Sequence, residues 1–109
     1  MAADRRTVLI TGASGTIGSA LSALLCADDA VRVVCLSRSP LQAPLPATHV
    51  SLTGDFAQRS DLERVTTMVG RVDCVVHLAG VLSEGNGLDF QLAVNVVGTH
   101  SLITHFRVR

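Results

Sequence analysis

Residues 7–18 read Thr-Val-Leu-Ile-Thr-Gly-Ala-Ser-Gly-Thr-Ile-Gly, and the rest of the chain is best read outward from them. Thr7–Thr11 is a short apolar, β-branched run that stops abruptly at Gly12. Such a run suits a strand buried on both faces, as in a parallel sheet. From Thr16 the period changes to a helical one, which predicts a helix over Thr16–Ala27 with Ile17, Leu21, Leu24 and Leu25 on one face. Between strand and helix, Gly12 can supply the backbone angles of a tight turn. Gly15 leaves room for a pyrophosphate to approach the main chain, and Gly18 lets the helix pack close to the strand. The helix start then offers N–H groups and a positive dipole end to the phosphates. Gly12, Ser14, Gly15, Thr16 and Ile17 are therefore candidate cofactor-binding residues. Many glycine-rich turns are purely structural, but here the flanking strand and helix supply the context the motif demands. A P-loop is excluded, because its phosphate-reaching Lys cannot exist in a chain whose nine basic residues are all Arg.

Further along, Val31–Leu36 reads as a second strand, and Ser37–Ala47, which holds all three prolines, as a loop. Val50–Leu52 is a short third strand. Ser60-Asp-Leu-Glu63 has capping-box spacing, and Leu62, Val65 and Val69 continue it as a helix. Asp73–Leu78 is a fourth strand closed by Ala79-Gly80, and Gly85-Asn86-Gly87 is a loop. From Leu88 to about Phe106, the residues Leu92, Val96, Thr99, Ile103 and Phe106 predict a last helix. Strands alternating with helices imply an α/β fold with right-handed crossovers. The expectation is a partial Rossmann fold, a parallel sheet of about four strands in the order 3-2-1-4 flanked by helices.

With 109 residues, 48% of them hydrophobic, the chain has room for one domain. A formal net charge of zero argues against a nucleic-acid partner. No apolar run is long enough to span a bilayer, and the polar Met1–Arg6 leads straight into a strand, so neither a membrane segment nor a secretory signal is expected. Cys26, Cys35 and Cys74 sit in apolar runs and read as small core residues of a reduced, cytoplasmic protein.

The acidic residue that usually holds an NAD ribose should lie at the end of the second strand. Leu36-Ser37-Arg38-Ser39 stands there without a carboxylate. Arg38 could pair with a 2′-phosphate and Ser37 could donate to it, so the cofactor expected is NAD(P), leaning to NADP. The other reading of Arg38 is an ordinary solvated side chain at a loop start.

The Thr-Gly-x-x-Gly-x-x-Gly spacing of Thr11–Gly18 resembles the extended short-chain dehydrogenase/reductase superfamily, the NAD(P)-dependent epimerases and dehydratases. Three later segments match in order. Gly54-Asp55-Phe56 looks like the segment whose Asp contacts the adenine. Val76-His77-Leu78-Ala79-Gly80 looks like the fourth-strand segment that lies along the cofactor. Val94-Asn95-Val96-Val97-Gly98-Thr99 looks like the Asn-Val-x-Gly-Thr helix motif. The resemblance adds Asp55, Phe56, Leu78, Ala79, Gly80 and Asn95 to the cofactor-binding candidates, with Asn95 bracing the active-site backbone. Leu82-Ser83-Glu84 with Leu88–Leu92 is similar to sugar-acid dehydrogenases that act on erythronate-like substrates. The residues also have plainer readings. Asp55 could start a turn after a strand, and His77 reads as a satisfied core histidine. His100 and His105 are five apart and share no helix face, so they suggest no metal site.

In the superfamily a Tyr serves as general acid/base and a Lys four residues later lowers its pKa. Hydride transfer at a carbonyl carbon needs such a proton relay at the oxygen. The chain has no Tyr and no Lys. Residues 1–109 are therefore expected to be the N-terminal part of a dinucleotide-binding domain, without its substrate-binding region and inactive alone. The fourth strand would then present Val75 and Val76 on an exposed edge that invites a homo-oligomer or another partner. The alternatives are a non-catalytic module that binds a dinucleotide or completes its sheet with a partner, and an inert remnant with no ligand.

Overall fold

In the computed structural model, which describes residues 5–41, 44–79 and 93–107, every residue of β1 (Arg6–Thr11) after Arg6 is buried. Side chains alternate across the strand. Val8 and Ile10 pack toward one layer, and Leu9 toward the other. β2 (Val31–Ser37) repeats the arrangement, with Val33 and Cys35 on one face and Val34 and Leu36 on the opposite one. With β3 (Val50–Thr53) and β4 (Cys74–His77) they form a four-stranded sheet in the order β3-β2-β1-β4, all pairs parallel. The α/β reading and the strand order both hold.

Helix α1 (Thr16–Cys26) covers one face of the sheet, where Leu21 and Leu25 pack against Val8, Ile10, Val33 and Cys35. Helix α2 (Arg59–Val69) and the C-terminal helix α3 (Gly98–Phe106) cover the other, placing Leu62, Val65 and Leu102 against Leu9, Val34 and Leu36. No helix among the described residues is long and apolar enough to cross a membrane.

Several local expectations need correcting, three of them in the helices. Ile17 and Leu24 do not face the sheet; they are 71% and 72% exposed, and the buried residues of α1 are Gly18 and Ser22. Close approach of the helix selects small residues. A Cβ on Gly18 would overlap the Gly12 carbonyl oxygen, and Ser22 buries its hydroxyl by donating to the Gly18 carbonyl at 2.7 Å. The second correction concerns the start of α2. Its N-cap is Gln58, with no side-chain cap, so Ser60 lies inside the helix and no capping box forms. The chain is turned instead by Asp55, whose Oδ1 accepts from the Ala57 N–H at 2.9 Å, and by Asp61, whose Oδ2 accepts from the Asp55 N–H at 2.9 Å.

The third correction is the face of the last helix. A π-helical turn over Ala93–Val97 precedes α3, and the buried residues are Val94, Gly98 and Leu102. The wider i→i+5 turn leaves Val96 and Val97 facing out, and Ile103 is 63% exposed. Gly98 permits this contact, since a Cβ there would lie 3.0 Å from both the Ala57 Cβ and the Phe56 ring. The loop at Gly85–Gly87 and the helical reading of 88–92 lie outside the described residues. The cysteines divide as well: Cys35 is buried and Cys26 partly so, but Cys74 is exposed on β4, contrary to a core role. Among the described residues β4 pairs with β1 alone; its Val75 and Val76 are half-buried rather than exposed.

Candidate functional site at the carboxyl ends of the strands

Parallel register brings the strand ends into line. Thr11 stands opposite both Leu36 and His77, and Leu36 opposite Leu52. Four segments leave the sheet there and surround a cavity of about 300 Å³. Gly12, Ser14 and Gly15 form its floor at the start of α1, and Leu36–Ser39 one side. Gly54 and Phe56, then Leu78, Ala79 and Val94, complete the wall. A crevice outside the carboxyl ends of parallel strands is where open α/β sheets bind ligands.

The glycine loop is shaped by two separate demands. Gly12 has φ +75°, and a Cβ there would sit 2.7 Å from the Ala79 nitrogen, so both conformation and space require glycine. Gly15 differs. Its φ is −80°, and an added Cβ would meet only the Gly12 carbonyl oxygen, at 3.4 Å, among the described residues. The fold does not need glycine at 15, yet the residue lines the cavity. As N-cap, Gly15 supplies no side chain to the first turn of α1, which also has no acidic residue. That leaves a helix start suited to an anion, and it fits the pyrophosphate of a dinucleotide.

Arg38 is exposed on the cavity rim. The Ser37 hydroxyl donates to the Ser39 carbonyl at 2.6 Å, so it braces its own loop and its proton is not directed at a ligand. Asp55 is not part of the cavity lining. Its carboxylate and carbonyl take the Ala57 and Gln58 N–H groups, which is the turn geometry of its plainer reading. The N–H of Asp55 and the neighbouring Arg64 hold the Asp61 carboxyl below the usual carboxylate range. Thr16, Ile17 and Asn95 also lie outside the lining, and Gly80 lies outside the described residues.

Behind the Leu78–Ala79 wall is a polar line not foreseen from sequence. The Thr11 Oγ1 accepts from the Leu78 and Ala79 N–H groups at 3.2 and 3.3 Å, the Leu78 N–H being shared with the Thr11 main-chain carbonyl at 3.1 Å, and contacts His77 Nδ1 at 2.6 Å. His77 Nε2 reaches Thr99 Oγ1 at 2.9 Å, and Thr99 donates to the Asn95 carbonyl at 2.7 Å. The His77 ring meets Phe56 edge-on, with centroids 4.5 Å apart, and burial pushes its pKa down. It is a half-buried histidine with both ring nitrogens hydrogen-bonded, which agrees with the satisfied part of its plainer reading rather than with a core position. Leu36, Gly54 and Val94 also line the cavity without having been singled out. Gly54 and Val94 open two of the segments that carried the resemblance, and Leu36 closes the run read from sequence as the second strand.

Residues 8–109 match the model of the NAD dependent epimerase/dehydratase family. Ipsdienol dehydrogenase of Ips pini is 32% identical over 101 residues, covering 88% of this chain and 39% of that protein. A short chain dehydrogenase from Leptospira borgpetersenii, solved with bound NAD+, superposes with TM-score 0.80 at 23% identity, over 94% of this chain and 45% of that one. An NAD complex of uronate dehydrogenase from Agrobacterium tumefaciens gives TM-score 0.71 at 27% identity, over 93% and 36%. The chain thus spans less than half the length of each.

Proposed function

The chain belongs to the NAD dependent epimerase/dehydratase family, and we propose that it is the N-terminal, cofactor-binding part of an oxidoreductase acting on a sugar-like hydroxyl or carbonyl substrate. The observation that carries this reading is Gly15, a glycine that the fold does not require, in the floor of a cavity at an uncapped helix start. The main chain of Gly12–Ile17 takes the pyrophosphate. Arg38, aided by the Ser37 segment, faces the adenosine ribose, and an Arg with no carboxylate beside it favours a 2′-phosphate and hence NADP. Phe56 flanks the adenine, with Asp55 shaping the turn beside it. Leu78 and Ala79 run along the cofactor, the family resemblance adds Gly80 to them, and Asn95 braces the backbone.

The bound nicotinamide supplies or accepts the hydride. The family resemblance assigns the proton at the substrate oxygen to a Tyr with a nearby Lys, and these 109 residues contain neither, so that relay would come from outside them. By itself the chain binds and does not turn over. A sugar acid is the favoured substrate, from the Leu82-Ser83-Glu84 resemblance and the likeness to a uronate dehydrogenase. The side of β4 that pairs with no strand among the described residues is where a further strand, from the same protein or a second copy, would pair.

Calorimetric titration of the chain with NAD and NADP tests the reading. Saturable binding, lost in Gly15→Val and with its NADP preference lost in Arg38→Ala, is the expected result. A folded chain that binds neither nucleotide would sink it.

A further inference from the structure

The hydrogen bonds around His77 can be assigned a direction. Thr11 Oγ1 accepts two main-chain N–H groups, so its own proton goes to His77 Nδ1. Thr99 spends its proton on the Asn95 carbonyl, so it accepts from His77 Nε2–H. Only the neutral ring protonated at Nε2 satisfies both contacts. A second proton would aim an Nδ1–H at Thr11 Oγ1, which already accepts from the Ala79 N–H and shares the Leu78 N–H with the Thr11 main-chain carbonyl. The Thr11 hydroxyl proton would then lose its acceptor, and either the ring or the Leu78–Ala79 segment must move.

We propose that His77 is a positioning residue for the cofactor: through Thr11 and Phe56 its neutral ring holds the Leu78–Ala79 wall of the cavity, and protonation releases that wall. The proposal rests on the reading of this cavity as an NAD(P) site. His77 is faced by Thr11 from β1, Thr99 from α3 and Phe56 from the β3–α2 connection. Burial alone lowers its pKa, and no charged side chain among the described residues contributes. Phe56 touches the ring and also lines the cavity, so two wall segments depend on the same imidazole.

The first arm needs no variant and no ligand. Nitrogen-15 NMR of the imidazoles, followed with the Leu78 and Ala79 amides from pH 7.5 to 4.5, should show His77 protonated at Nε2. Its midpoint should fall below the ordinary 6.5, with both amides shifting at that midpoint. An Nδ1–H form, or amides that stay still while His77 titrates, overturns the proposal. The second arm measures NAD affinity against pH. Affinity should fall about tenfold per pH unit below the His77 midpoint, as one linked proton requires. His77→Gln keeps an acceptor and a donor but has no titrating proton, and should bind NAD with that acid limb absent. Survival of the limb in His77→Gln contradicts the assignment. If NAD fails to bind at every pH while the amides still follow His77, the cofactor reading falls and the coupling of ring to wall stands.

Discussion

Gly12 and Gly15 sit three apart in one loop and answer to different constraints. Alanine at 12 meets a positive φ and the Ala79 backbone, so Gly12→Ala should cost at least about 2 kcal/mol in urea unfolding. A Cβ at 15 finds no such obstacle, so Gly15→Ala should cost only about 1 kcal/mol, the difference between Gly and Ala at an N-cap. Gly15→Val, which adds bulk toward the cavity, should abolish nucleotide binding. Equal destabilisation by both alanine substitutions would mean that Gly15 serves the fold after all. At this scale the sequence was informative about backbone and less so about side chains. The glycine spacing specified a turn because few residues tolerate those angles. The hydroxyl of Ser37 had two possible partners, and only the loop geometry shows that the Ser39 carbonyl takes it. The line from Thr11 to Asn95 was hidden for a related reason: it joins residues 66 and 22 positions apart, which no local pattern records.

Among the elements, the strands were legible almost residue by residue, since a run buried on both faces needs only apolar, β-branched side chains. The face of α2 was legible too, with Leu62, Val65 and Val69 turned to the core, but those of α1 and α3 were read only in part. Periodicity counts large apolar residues, whereas α1 and α3 approach their neighbours through Gly18, Ser22 and Gly98 and turn Ile17, Leu24 and Ile103 outward. The π turn before α3 shifts the phase again. Leu102→Ala should therefore cost about 2–5 kcal/mol, and Ile103→Ala, one residue on, under about 0.5 kcal/mol. The start of α2 gives a parallel contrast. Asp61→Ala removes the acceptor of the Asp55 N–H and should lower stability by about 1 kcal/mol. Ser60→Ala, at an exposed position without a cap bond, should change little. Chemical denaturation of these four variants checks both pairs.

For the molecule as a whole, two histidines make stability pH-dependent. Like His77 at the carboxyl ends of the strands, His49 near the opposite ends has a lowered pKa, through burial and the nearby Arg5. Its Nδ1 accepts from the Val33 N–H at 2.9 Å, a role only the unprotonated nitrogen can fill. Below about pH 6.5 the unfolded chain takes up protons that the folded chain resists, so stability is full above that value and falls as the pH drops through the folded pKa values. The urea midpoint should be lower at pH 5 than at pH 7.5, and His49→Gln should reduce the difference. A midpoint that rises on acidification would contradict both assignments.

The three cysteines lie at three depths in the same sheet and helix layer, which turns the protein into its own clock. A thiol-specific reagent should label Cys74 at once and Cys26 more slowly. Cys35, whose pKa burial raises, should react only when the central strands separate. The slowest rate therefore counts openings of the whole sheet, while the fastest samples its β4 margin. Protection of Cys74 alone, as concentration increases or another chain is added, would time the arrival of a neighbour at that margin without any engineered probe.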